Sequence, residues 1–276
     1  MFWAVRDAGG FFLPAASKEG IVYSDLRYIA VFLAGVAAAL ILLRLARRRI
    51  ACPLSLSQRN LFSTNFGFFT TLYTFFLGFA VVSLWQTYNG ADTAITDETD
   101  LLVVECRLSQ SLPDSDGFRR ALLRYTEAVR DPGWAMMRDG EASDGAGKLY
   151  DVVWDELRAL APAPDSHVQA IYTLMLSRLI DCNKLRHQRL LLIDGSLYTP
   201  IWIIIYLGVA FTLIGFYFIE TGNKPADRFF IAMMLAMLVG NIFLLYELDT
   251  PFSGVICLDP DKFTQAAQAI RALGGL

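Results

Sequence analysis

Histidine is almost missing from this chain: His167 and His187 are the whole supply. Two are too few for a histidine-based metal or catalytic centre. The four cysteines, Cys52, Cys106, Cys182 and Cys257, form no CxxC pair, which argues against zinc and dithiol redox motifs. Their default reading is buried free thiols, with a Cys106–Cys182 disulfide open only in an oxidising compartment. GxSxG, HExxH, P-loop and dinucleotide fingerprints are lacking, so no enzyme activity, no metal and no cofactor is expected. Charge is scarce too, at 18% of 276 residues, and a net charge of −3 leaves no basic footprint for nucleic acid. No period-two strand pattern, internal repeat or low-complexity run occurs.

What is present is apolar: 55% of the chain, concentrated in four blocks at about Tyr28–Leu43, Leu61–Trp85, Ile201–Ile219 and Phe229–Tyr246. As helices the last three are long enough to cross a bilayer, and the first becomes so when Leu45 and Ala46, past Arg44, extend it. The expected fold is an all-α membrane protein with four transmembrane helices and a helical extramembrane domain inserted between spans two and three. The expected divisions are a 1–25 interfacial segment, spans one and two in 26–86, the helical domain in 87–199, spans three and four in 200–247, and a 248–276 tail with a short helix. Residues 1–25 lack the pattern of a cleavable signal peptide. No span has an internal carboxylate, which argues against a proton-coupled transporter.

The central stretch is Leu61–Trp85, 25 residues without a charge. Gly67, Thr71, Thr74 and Gly78 share one face, where another helix could approach closely. Phe68, Leu72, Phe75 and Phe79 form a second face, with Phe69, Tyr73 and Phe76 beside it. The segment reads as the central helix of a bundle and as a candidate pore lining; helix packing is the plainer alternative.

Residues 87–199 carry 12 Lys and Arg against 18 Asp and Glu. Helices are expected over Ala91–Leu112, Phe118–Val129, Lys148–Leu160 and from Asp165 or Ser166 to about Ile193, with a loop over Asp139–Gly147. A terminal helix is expected from Asp261 to about Leu273. Arg186 and Arg189 either anchor the membrane interface, pair with Glu98 or Asp181, or form an electropositive vestibule that concentrates anions. Glu98, Asp97 and Asp100 read as solvated, although Glu98 could pair across the domain. Asp249, ahead of Pro251 and Gly254, is a helix stop and turn, or it docks on Arg186 or Arg189. Asn241, inside the fourth span, should hydrogen-bond a neighbouring helix. The short loop holding Arg44, Arg47, Arg48, Arg49 and Arg59 belongs in the cytoplasm by the positive-inside rule. That places the large domain and both termini outside, in the periplasm of a bacterial inner membrane.

Several stretches resemble the bestrophin-like domain family of bacterial membrane proteins, distant relatives of bestrophin channels. They are Gly78-Phe79 and Trp85, the acidic helix around Glu98, Arg186-His187-Gln188-Arg189 before Pro200 and Trp202, and Leu248-Asp249-Thr250-Pro251-Phe252-Ser253-Gly254. Together they cover about residues 60–265. The resemblance implies four spans, a homo-oligomer of five subunits around an axial pore, and inorganic ions as the transported species, anions by analogy, in a lipid bilayer. It implies an apolar pore neck at Phe68, Leu72, Phe75 and Phe79, or on the neighbouring face through Phe69, Tyr73 and Phe76. Bestrophins keep the large domain in the cytosol, opposite to the charge-based orientation. Glu247, Asp249, Asp259 and Asp261 lack the spacing of a calcium loop, so calcium is not assigned. The acidic charge of the 87–199 domain could instead favour cations. The alternative function is a non-conducting membrane scaffold or envelope sensor whose helical domain binds a partner.

Overall fold

The computed structural model describes residues 30, 33–42, 44–45, 55–160, 166–218, 224–254 and 256–275. The 1–25 segment and most of the loop at 46–54 lie outside the described residues. So does part of the first expected span, which is represented by a short apolar helix, α1, Leu33–Leu42. Every other regular element is helical as well: α2 Leu56–Ser109, α3 Asp116–Ala128, a π turn Val129–Gly133, α4 Trp134–Arg138, α5 Asp144–Ala159, α6 Ser166–Leu191, α7 Thr199–Phe218, α8 Lys224–Asp249 and α9 Asp261–Gly274. No strand occurs among the described residues. Three helices, α2, α7 and α8, are long and apolar enough to cross a membrane.

The expected break between the second span and the Ala91–Leu112 helix does not exist. α2 is one helix of 54 residues, about 80 Å long, against about 30 Å of bilayer hydrocarbon. It starts from a capping box: Ser55 Oγ accepts the Gln58 amide while Gln58 Oε1 accepts the Ser55 amide at 3.0 Å. Gly90 costs helix propensity but does not stop the helix, because its neighbour Ala91 and then Ala94 and Ile95 are buried and hold the next turns. The loop expected over Asp139–Gly147 is shorter than its composition suggests. Ser143 accepts the Ala146 amide and starts α5 at Asp144.

Packing divides α2 by depth. In the bilayer segment Tyr73, Leu77, Ala80 and Leu84 pack with Ile205, Leu238, Leu245 and Leu248 of α7 and α8. Farther along, Leu102 and Cys106 join Phe118, Leu122, Tyr125, Tyr150, Val153, Leu179 and Phe263 in the extramembrane core. Cys106 and Cys182 are both buried free thiols, so no disulfide closes this domain. Asn241 donates to Met237 O of its own helix at 2.9 Å rather than to a neighbour.

Close helix approach is also arranged differently from the sequence reading. Among the described residues no atom of another helix lies within 4 Å of a Cβ built at Gly67 or Gly78, so none of the described helices packs onto either glycine. The close approach is at α7: a Cβ on Gly208 would overlap the Tyr73 ring, and one on Gly215 the Phe66 ring. Tyr73 Oη also donates to Ile205 O at 2.8 Å. Gly208→Ala is therefore expected to destabilise the protein by about 1–3 kcal/mol through overpacking. Gly90→Ala, which meets open space, should leave stability unchanged or raise it slightly. Thermal unfolding in detergent, compared between the two variants, checks this.

Candidate functional site

The four aromatic and aliphatic residues singled out on α2 are among those its own bundle leaves uncovered. Phe68 is 69% exposed, Leu72 54%, Phe75 66% and Phe79 61%. At about 100° per residue they fall within one narrow stripe, and the Phe75 and Phe79 rings stack edge-on at 4.6 Å. Because α2 is unbroken, the stripe continues past the bilayer through exposed Val82, Gln86, Thr93, Asp97, Asp100 and Val104. It changes from apolar to acidic on the way. Asp100, Val104 and Arg107 also wall a groove of about 590 Å³ with Lys262 and Gln265 of α9. A single helix face thus runs from apolar to polar residues.

The polar residues named from sequence fall into two separate groups. Glu98 is not solvated, as its acidic neighbours suggest; it is fully buried and meets Arg189, 91 residues away, in the extramembrane core. Arg189 Nε donates to Glu98 Oε2 at 2.8 Å and Nη2 to Oε1 at 3.0 Å, with side chains 3% and 0% exposed. Tyr125 Oη, which sequence reasoning missed, donates to the same Oε1 at 2.7 Å. Burial alone would lower the Arg189 pKa, but the Glu98 carboxylate overrides it and the guanidinium is held above its usual range. Burial, then Glu98, pushes the Tyr125 hydroxyl well above its ordinary value. Arg186 stands apart, half-buried over the Tyr150 ring at 5.1 Å.

Asp249 docks on neither arginine. Its Oδ1 accepts the Ser196 and Leu197 amides at 2.9 and 2.7 Å, and its Oδ2 accepts Trp202 Nε1 at 3.0 Å. It ties the end of α8 to the α6–α7 turn, where Gly195 takes φ +86°. Just beyond, Gly254 at φ +99° lies against the Glu247 carboxylate, which accepts the Ile256 amide at 3.2 Å. A positive φ with a carboxylate at the Cβ position explains why glycine ends the Leu248–Gly254 stretch. Trp202 and Asp249 both lie in the stretches quoted above, but they are 47 residues apart and the Ser196 and Leu197 donors are backbone amides without a sequence signature, so their meeting could not be read. No group of three or more metal-ligating side chains occurs among the described residues.

Removing one member of the buried pair leaves the other charge uncompensated. Arg189→Met is expected to cost about 3–5 kcal/mol, and Glu98→Gln with Arg189→Met should recover part of that loss. Tyr125→Phe should cost about 1.5–3 kcal/mol, a hydrogen bond to a charged group. Unfolding midpoints of the four proteins in detergent decide it.

The bestrophin-like domain model matches residues 33–263. No curated protein matches the chain. A bacterial bestrophin homolog from Klebsiella pneumoniae superposes over 90% of this chain and 98% of its own, with a TM-score of 0.67 at 13% identity. A single-substitution variant of that homolog gives 0.64 at 14% identity, over 91% of this chain and 100% of its own. A structure described only as a membrane protein gives 0.67 at 13% identity, over 90% and 98%. At such identities the structural likeness shows the fold alone, whereas the family match spans most of the sequence. This chain is a multi-pass membrane protein and belongs to the bestrophin-like family.

Proposed function

We propose that the chain is one subunit of a homo-oligomeric ion channel, a pentamer by family resemblance, in a bacterial inner membrane. Four spans surround the pore, and residues 87–199 form the extramembrane domain. α2 lines the neck through Phe68, Leu72, Phe75 and Phe79, where an apolar constriction gates by dewetting without a charged filter. The observation that carries this is the division of α2: one face packs into its own bundle while the opposite stripe stays uncovered and runs on past the bilayer into polar residues. Glu98, Arg189 and Asp249 serve structural pairing in this reading, and half-buried Arg186 is the one of the four left for a vestibule. Lipid covers the outer faces of α7 and α8.

The permeant ion is an anion by resemblance. A second reading, cations, is favoured by Asp97 and Asp100, which follow the neck residues on the same stripe and would form acidic rings in a symmetric assembly. By basic-loop charge the 87–199 domain is periplasmic; the bestrophin arrangement makes it cytosolic. A cysteine at exposed Glu141 (Glu141→Cys), labelled from outside intact cells, tells these apart.

In liposomes the purified protein is expected to pass ions, and Phe75→Ala to raise the flux several-fold. Under a potassium chloride gradient the sign of the reversal potential separates the two selectivities. Asp97→Asn with Asp100→Asn moves it toward anions if the acidic rings select. A non-conducting particle would leave the scaffold reading.

A further inference from the structure

Glu105 lies on the extramembrane part of α2, about 30 Å beyond Trp85. It is fully buried, and neither carboxylate oxygen has a hydrogen-bond partner among the described residues. Glu98, two turns earlier on the same helix, is held by an arginine and a tyrosine; Glu105 has neither. Toward it α6 presents Arg178, exposed on the surface, and the buried Cys182 thiol. On its own helix Cys106 is adjacent. From α3, Arg119 approaches Cys106 and pairs with Asp116. The α9 cations are engaged elsewhere, Lys262 with Asp92 and Arg271 with Glu127. An ionised carboxylate without partners in such a place is costly, so the group keeps its proton: burial, against the pull of Arg178, raises its pKa to about 8.

We propose that Glu105 is a proton-operated latch between α2 and α6. The neutral carboxyl stays inside the seam; the carboxylate leaves it for the Arg178 guanidinium at the surface and loosens α2 against α6. α2 continues without a break to Phe79 and Phe68, so the same movement reaches the neck. That last step rests on the channel reading; the latch itself does not.

For a carboxyl whose folded pKa is raised, stability is fully present below the unfolded value of 4.5 and is lost as pH rises through about 8. The full-length protein in detergent is therefore titrated from about pH 6 to about pH 9.5, following the carboxylic C=O band by infrared difference spectroscopy. The band is expected to disappear with a midpoint near 8, and Glu105→Gln should lack that transition. The thermal midpoint of wild type should fall relative to Glu105→Gln across the same window. Arg178→Ala, a surface change, should move the band's loss to higher pH, which keeps the test available if Glu105→Gln does not fold. A band already absent at neutral pH, or one unmoved by Arg178→Ala, overturns the latch. So do thermal midpoints of wild type and Glu105→Gln that stay parallel. In liposomes, flux should change about fivefold or more over the window, the low end of two-site coupling, in wild type but not in Glu105→Gln. Flux that ignores pH while the band titrates overturns the coupling to the neck. Absence of flux at every pH, with the band titrating, removes the channel reading and leaves the latch standing.

Discussion

Because α2 does not break at the membrane surface, its bilayer face and its extramembrane face share one register. A helix of this length allows no independent rotation of its two halves. When Tyr73, Leu77, Ala80 and Leu84 turn inward against α7 and α8, the direction of Phe68, Leu72, Phe75 and Phe79 is set, and so is that of Asp97 and Asp100 two dozen residues later. Glycines on α7 make this orientation specific. Gly208 and Gly215 leave room for the Tyr73 and Phe66 rings, which a Cβ at either position would overlap. Aromatic rings thus enter notches on the partner helix, a close-packed arrangement that membrane helices use where lipid supplies no hydrophobic drive to associate.

Two polar locks hold the remaining helices to that register. The Glu98–Arg189–Tyr125 cluster joins α2, α6 and α3 inside the extramembrane core. Asp249 joins α8 to the α6–α7 turn and to Trp202 at the start of α7. Buried ion pairs add little net stability after desolvation, yet breaking one is expensive. Such contacts therefore select one arrangement of helices more than they strengthen it. Lys262 adds a third tie, from α9 to Asp92 and Thr96 of α2 at 2.5 and 2.7 Å.

Much of this was readable from the residues. Long uncharged runs declare spans by solvation alone, and α7 and α8 match the expected third and fourth blocks within a few residues. The uncovered stripe on α2 follows from helical periodicity. The continuity of α2 was hidden because Gln86, Thr87, Asn89 and Gly90 have the composition of a linker, while the burial of Ala91, Ala94 and Ile95 that overrides it is a tertiary fact. The small face on α2 was visible, but which helix provides the notch depends on partners, and within the chain the notch lies on α7. Glu98 and Arg189 were singled out, and their pairing was one of several options that only the fold could separate. Tyr125 carried no signal beyond being one apolar-face residue of α3, and Glu105 looks like any acidic residue until its surroundings are known.

The account stands on where the α2 stripe points in the assembled particle. Direct imaging of the detergent-solubilised, full-length protein at side-chain resolution tests this. The prediction is a closed ring of identical subunits with Phe68, Leu72, Phe75 and Phe79 converging on the symmetry axis and Asp97 and Asp100 lining the wider mouth beyond. A lone subunit, or a ring that carries this stripe on its lipid-facing rim, would contradict it.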